Sequence, residues 1–199
     1  FGQNPSFSGS VTAGTNADDS GKGLFKYAPP SGFLALCEDN LPAPAIADPG
    51  KHFKCVLYTG GGSDGRGIRG VGFQPDLIWI KKRNNTSDHR FFDSVRGAKK
   101  ALKSNSTAAE ITNDAVISFD NDGWSASAFN NTGDQYVGWC WKAGGIAVPN
   151  TDGTLTSQVS VNQTAGFSIA TYTTGGTATT FGHGLGKKPA FALFKARND

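Results

Sequence analysis

The chain has 199 residues, 27 of them Gly and none Met, with 18% charged residues and 14 Phe and 4 Trp inside a hydrophobic share of 37%. That composition disfavours long amphipathic helices and suits short strands joined by polar, Gly-rich turns, with aromatic rings filling the core. A net charge of +3, its Lys and Arg interleaved with Asp, speaks against a dedicated nucleic-acid binder, and no apolar run is long enough to span a membrane.

In chain order, the first 50 residues hold a Gly/Ser/Asp loop, then YAPPSGF, then NLPAPAIADPGK. The last is a Pro-rich extended linker, because Pro fixes φ and its neighbours avoid the helix, so a boundary is expected near 41–51. In HFKCVLYTGGG (52–62), Phe53, Cys55 and Leu57 alternate with Lys54, Val56 and Tyr58. This is a half-buried strand pattern, closed by a glycine turn that needs positive φ. GGGSDGRGIRG (60–70) lacks the GK[ST] ending of a phosphate loop and reads as a flexible hairpin loop. Within GVGFQPDLIWIKKRNN (70–85), the run Leu77–Ile80 suits a central strand covered on both sides, with Pro75 at its start where a missing N–H costs no ladder bond. Further strands are predicted at 89–96, 115–119, 124–129 and 135–143, with turns at Asn121-Asp122-Gly123 and Asn131-Thr132-Gly133-Asp134. Residues 97–111 have mild helical character, and 144–165 read as a polar linker with one short strand near 155–161.

A repeat runs through this order. HFKCVLYTGGG (52–62) matches GFSIATYTTGG (166–176), and GVGFQPDLIWIKKRNN (70–85) matches GLGKKPAFALFKARND (184–199). Phe53 and Phe167, Tyr58 and Tyr172, Pro75 and Pro189, and Arg83 and Arg197 all lie 114 positions apart. A constant offset over two blocks implies one whole repeat and the opening of a second. The expected fold class is all-β, as tandem antiparallel β-sandwich (jelly-roll-like) modules. The expected organisation is 1–45 as the end of one β domain plus linker, 46–145 as a complete repeat, 146–165 as a linker and 166–199 as the start of a second repeat. Beginning at Phe1 and stopping inside a repeated motif, the sequence is expected to be a fragment of a longer chain.

Candidate chemistry is sparse. FDNDGW (119–124) is rich in carboxylates but lacks the spacing and terminal Glu of a calcium loop, so a type I′ turn is expected. His52, His89 and His183 lie far apart, each near no partner at metal-ligand spacing. Cys37, Cys55 and Cys140 form no CxxC pair; buried free thiols are expected, with a Cys55–Cys140 bridge as the alternative. No Gly-x-Ser-x-Gly elbow or Cys/His pairing marks a nucleophile. No catalytic, cofactor-binding or metal residue is therefore assigned, no cofactor is called for, and a non-enzyme is expected. Asn84, Asn85, Asn105, Asn130 and Asn162 head N-x-[ST] sequons and read as exposed polar loops. In YVGWCWK, Val137, Trp139 and Trp141 share one face while Tyr136, Gly138 and Cys140 share the other. The rings could stack on sugars, but a unit with so few large aliphatics needs them in its core, so core packing is expected, with Gly138 admitting a neighbouring chain.

FGQ (1–3) and F.Y.PPSGF.AL…NLP (25–42) resemble the C-terminal end of SPRY-like domains in marine bacteriophage virion proteins. K.F..V.YTG.G, F.PD..WIK.R and YV.WCWKAGG resemble the uncharacterised repeat that follows those domains, with Gly138 where that family has Ala. The resemblance implies a non-enzymatic structural protein of the phage particle, in a tail fibre or other appendage, serving host-surface attachment or assembly. It implies other virion proteins as partners, a homo-oligomer (a trimer by analogy with phage fibres) and a host glycan or protein as receptor, with no nucleic acid and no membrane insertion. Two alternatives stand beside it: a glycan-binding or glycan-cleaving adhesin module, and a capsid decoration protein. Loops 60–70 and 84–88 are the expected contact points, being polar and joining strands at one end.

Overall fold

The structure, a computed structural model, describes residue 12 and residues 14–198 of the chain. The FGQ of the SPRY-like resemblance and the terminal Asp199 lie outside the described residues. The chain divides into two compact units, Phe1–Ala47 and Asp48–Asp199.

The described part of the first unit has no strand, and Asp18 gathers more of its bonds than any other carboxylate. Asp18 accepts bonds from the amides of Ser20, Lys22 and Ala35, at 2.9, 2.8 and 2.6 Å, and from the Asn40 side chain at 2.8 Å. Partial burial pushes this carboxyl upward, but the donors from Ala35, Lys22, Ser20 and Asn40 outweigh it and hold it far below the ordinary aspartate value. One bridge (Asn16 with Phe25) and a single 3₁₀ turn (Glu38–Asn40) complete the local order.

The second unit is an antiparallel all-β sandwich, as the composition requires. Its strands are β1 (Phe53–Thr59), β2 (Arg66–Arg69), β3 (Leu77–Lys82), β4 (Arg90–Asp93), β5 (Lys100–Ala101), β6 (Ile111–Thr112), β7 (Ser118–Asp120), β8 (Gly123–Ala126), β9 (Gln135–Trp141), β10 (Val148–Asn150), β11 (Ser157–Asn162) and β12 (Phe167–Thr171). One sheet runs β1-β9-β3-β4 and faces a second, β2-β8-β7; β5-β6 is a short ribbon and β10-β11-β12 a further sheet. Val56, Ile78, Ile80, Phe92 and Cys140 from the first sheet meet Ile68, Trp124 and Ala126 from the second, with Val71, Phe73, Ala101, Ala115 and Val116 closing the edges. Leu77–Ile80 forms the expected central strand, hydrogen-bonded to β9 on one side and β4 on the other.

Several expectations change. Residues 97–111 form no helix: Gly97 and Lys99 take positive φ (96° and 67°), and Lys100–Ala101 pairs with Ile111–Thr112. A buried ion cluster explains the departure, since Arg96 Nη1 reaches Glu110 at 2.9 Å and its Nε meets Asp93, bending the chain into a closed loop. The stretch 60–70 is a pinned turn plus β2 and not a free loop, because buried Asn130 accepts the Gly61 amide and donates to the Ser63 carbonyl. Asn130, read as part of an exposed loop, is thus an internal clamp. Residues 146–165 hold two strands, β10 and β11, paired with each other, and β11 also pairs with β12. No described helix is long and apolar enough to cross a membrane.

Candidate functional site

The stretch Tyr136–Trp141 of β9 builds two unlike surfaces because side chains alternate across a strand. Tyr136, Gly138 and Cys140 point into the sandwich, and all three are buried. Gly138 faces the Trp124 ring: a Cβ added there would lie 2.6 Å from Trp124 Cη2. The glycine therefore admits a tryptophan of the opposite sheet, where a neighbouring chain was expected. Tyr58 stacks on Tyr136 at 5.0 Å and meets Trp124 edge-on at 5.7 Å, completing the inner aromatic packing. Burial raises the Cys140 thiol to about 12, so it stays protonated.

Trp139 and Trp141 lie on the other face, which corrects their expected place in the core. Cross-strand register sets Cys55, Trp139, Trp79 and Phe91 in one row, and Phe53, Trp141, Leu77 and Asp93 in the next. Trp79 packs against Trp139 (centroids 5.3 Å apart) and Phe91 (4.9 Å), while Trp141 packs against Phe53 (4.9 Å) and stacks on Phe167 (6.1 Å). The three tryptophans are half-buried, Phe53 is 40% exposed and Leu57 is 62% exposed. At the β4 side, Trp79 Nε1 donates to His89 Nδ1 at 2.9 Å. Indole can only donate, so that ring nitrogen is unprotonated. Burial first and the Lys81 charge second hold the His89 pKa below its ordinary value, against the opposing pull of Asp88.

The same register fixes the loops. β1 and β3 both run antiparallel to β9, and Thr59 and Lys82 lie opposite Gln135 and Tyr136. The turn after β1, the 83–89 loop and the Asn131–Asp134 turn therefore share one end of the sheet. Lys81 Nζ ties the middle loop down through the Asn85 carbonyl at 2.9 Å.

The remaining candidates serve the fold. Cys55 and Cys140 stand at opposite parity, opposite Trp139 and Lys54, so their side chains leave opposite faces and no bridge forms between them. All three cysteines are free; Cys140 is buried, but Cys55 is exposed and Cys37 intermediate, against the expectation of burial. FDNDGW is the β7–β8 hairpin, but neither Asn121 nor Asp122 has positive φ, so the turn is not type I′. Asp122 instead accepts the Gly70 and Gly72 amides at 3.1 and 2.6 Å, and Asp120 binds Ser118, Ser125 and Arg69. His52 Nδ1 contacts the Asn162 side chain and His183 Nδ1 accepts the Leu185 amide. Among the described residues no three His, Cys, Asp or Glu side chains gather as a metal site.

Sequence reasoning missed Asp76, which is 2% exposed. Its Oδ2 accepts the Ala143 amide at 2.8 Å and its Oδ1 the Ser94 hydroxyl at 2.9 Å, so it ties the Ala-Gly-Gly exit of β9 to the start of β3. A polar residue fixed between Pro75 and the apolar run was the available signal.

Neither a curated protein nor a solved structure matches the chain. A family model described as a domain of unknown function, DUF7483, matches residues 48–199, the span of the sandwich-bearing unit, and the chain belongs to that family.

Proposed function

We propose that the chain is a non-enzymatic structural module of a bacteriophage particle, part of a tail fibre or other appendage, which works by contact in host-surface attachment or assembly. The contact role is carried by one observation: the outer face of β1-β9-β3-β4 sets Phe53, Trp79, Trp139 and Trp141 side by side, partly open to solvent. Half-exposed aromatic clusters of this kind mark recognition surfaces, since their rings gain much from covering and each brings few rotatable bonds. The phage setting is supported by the resemblance of YVGWCWKAGG and its companion motifs to repeats in phage virion proteins. One feature favours envelope sugars as the ligand, as in an adhesin module: His89 packs against the Trp79 ring, where a polar group could bind hydroxyls of a stacked pyranose.

The test has two arms. Mass spectrometry of purified particles should detect this chain as a stoichiometric component. Host-cell binding should be weak for a single chain and rise on the order of 10²–10⁴-fold for a multivalent array, because later contacts form at high effective concentration. Absence from particles removes the virion reading. Release of soluble glycan by the isolated chain replaces it with an enzyme.

A further inference from the structure

Side chains two apart on a strand leave the same face, so Trp79 and Lys81 of β3 stand in one line on the outer face. The ladder runs one step past the strand, because the Arg83 amide donates to the Gln135 carbonyl at 2.7 Å, and Arg83 joins that line. Successive members are spaced about 6–7 Å apart along an extended chain. Trp139 lies opposite Trp79 and Val137 opposite Lys81, so the aromatic row passes into a cationic end within two residues.

These two cations lack what their neighbours have. Lys82 pairs with Asp134 at 2.6 Å and Lys103 with Asp88 at 2.7 Å, so both nearby carboxylates are already held. Asp93 lies at the far end of the outer rows, buried against Arg96. Lys81 Nζ donates to two carbonyls, those of Lys82 and Asn85, at 2.7 and 2.9 Å, and Arg83 is exposed. Among the described residues no Asp or Glu pairs with either. His89 adds a neutral donor beside them: its Nδ1 accepts from Trp79, which leaves the ring proton on Nε2. The Trp79 and Trp139 rings are tilted 56° to each other, so a flat ligand stacks on one of them at a time.

Resting on the reading of the outer face as a sugar-contact surface, we propose that its ligand is an acidic glycan, a chain of uronic-acid pyranoses whose rings stack on the tryptophans and whose carboxylates meet Lys81 and Arg83. A sugar seated on Trp79 sets its substituents toward the next position on the line, Lys81, and the following unit reaches Arg83. Arg offers a carboxylate a two-pronged donor and Lys a point charge, while the rings supply stacking that any pyranose shares. A neutral chain gains the stacking alone and leaves both cations unmatched.

The probes are an oligogalacturonate, the same oligosaccharide methyl-esterified, which keeps the rings and removes the charge, and dextran sulfate, which carries charge without uronate rings. Binding to the full chain is read by tryptophan fluorescence. The free acid should bind at least tenfold tighter than the ester. Arg83→Gln, at an exposed position, should narrow that gap at least threefold with an unchanged melting temperature, and adding Lys81→Gln should close it. Equal affinity for acid and ester overturns the acidic ligand and leaves a neutral-sugar surface. Dextran sulfate binding as tightly as the uronate, and unaffected by Trp139→Ala, overturns it in favour of charge attraction alone. No response to any of the three probes overturns both the acidic ligand and the sugar reading beneath it.

Discussion

The two faces of the β1-β9-β3-β4 sheet are both rich in aromatic residues, yet they do different work. Inside, Tyr58, Phe92 and Tyr136 close around Trp124, with Tyr136, Phe92 and Trp124 at most 1% exposed. Outside, Trp79 leans on Trp139 and Phe91, Trp141 leans on Phe53 and Phe167, and the three tryptophans remain partly wet. What separates the faces is shape, not hydrophobicity. Gly138 leaves a hollow that only the inner parity offers, and one large ring from the facing sheet fills it. Close packing then fixes which tryptophan belongs to the core.

The largest effect that could break this comparison is Trp124→Ala. Its ring is fully buried, and truncation should cost about 3–5 kcal/mol through lost burial and a residual cavity. Urea melts measure it; a loss under 1 kcal/mol would mean the inner face is not the core. Gly138→Ala comes next. A methyl 2.6 Å from Trp124 Cη2 must displace a rigid ring, which should cost about 1–3 kcal/mol. An unchanged melting temperature would show that the hollow has spare room.

A smaller effect sharpens the outer face. The folded pKa of His89 is depressed, so the unfolded chain takes up that proton first. Its contribution is present above the ordinary histidine value of about 6.5 and is lost as pH falls through the depressed value. Protonation also removes the acceptor for Trp79 Nε1. Tryptophan emission should shift with a midpoint below pH 6.5, and His89→Gln should abolish that transition. A midpoint above 6.5 would contradict the burial and the Lys81 repulsion that depress it.

Strand positions were legible in the sequence wherever a local pattern had one solution. Leu77–Ile80 reads as a central strand and is one, paired at both edges. Only Ile78 and Ile80 are buried while Leu77 and Trp79 stay half-exposed, so it is covered on one face and not both. The glycine turn after β1 forms as expected, with Gly62 at φ 75°. Facing was not legible. In β9 both parities are apolar, so alternation alone cannot say whether Trp139 or Cys140 points inward; the deciding partner, Trp124, lies on another strand. Residues 97–111 misled for a related reason. Ala and Lys give helical propensity there, but the Asp93–Arg96–Glu110 cluster and the β5–β6 pairing override it. The segment 191–196 shows the converse: its pattern matches β3, yet it forms no strand and Phe191, Leu193 and Phe194 are exposed.

The most direct test of the central claim, that the outer face is a contact surface, is Trp139→Ala in the arrayed protein, read by host-cell binding and thermal melting together. Because the ring is only half-buried, stability should fall by about 1 kcal/mol, well short of the Trp124→Ala loss, while binding falls at least tenfold. Unchanged binding, or a stability loss as large as that of Trp124→Ala, would contradict it.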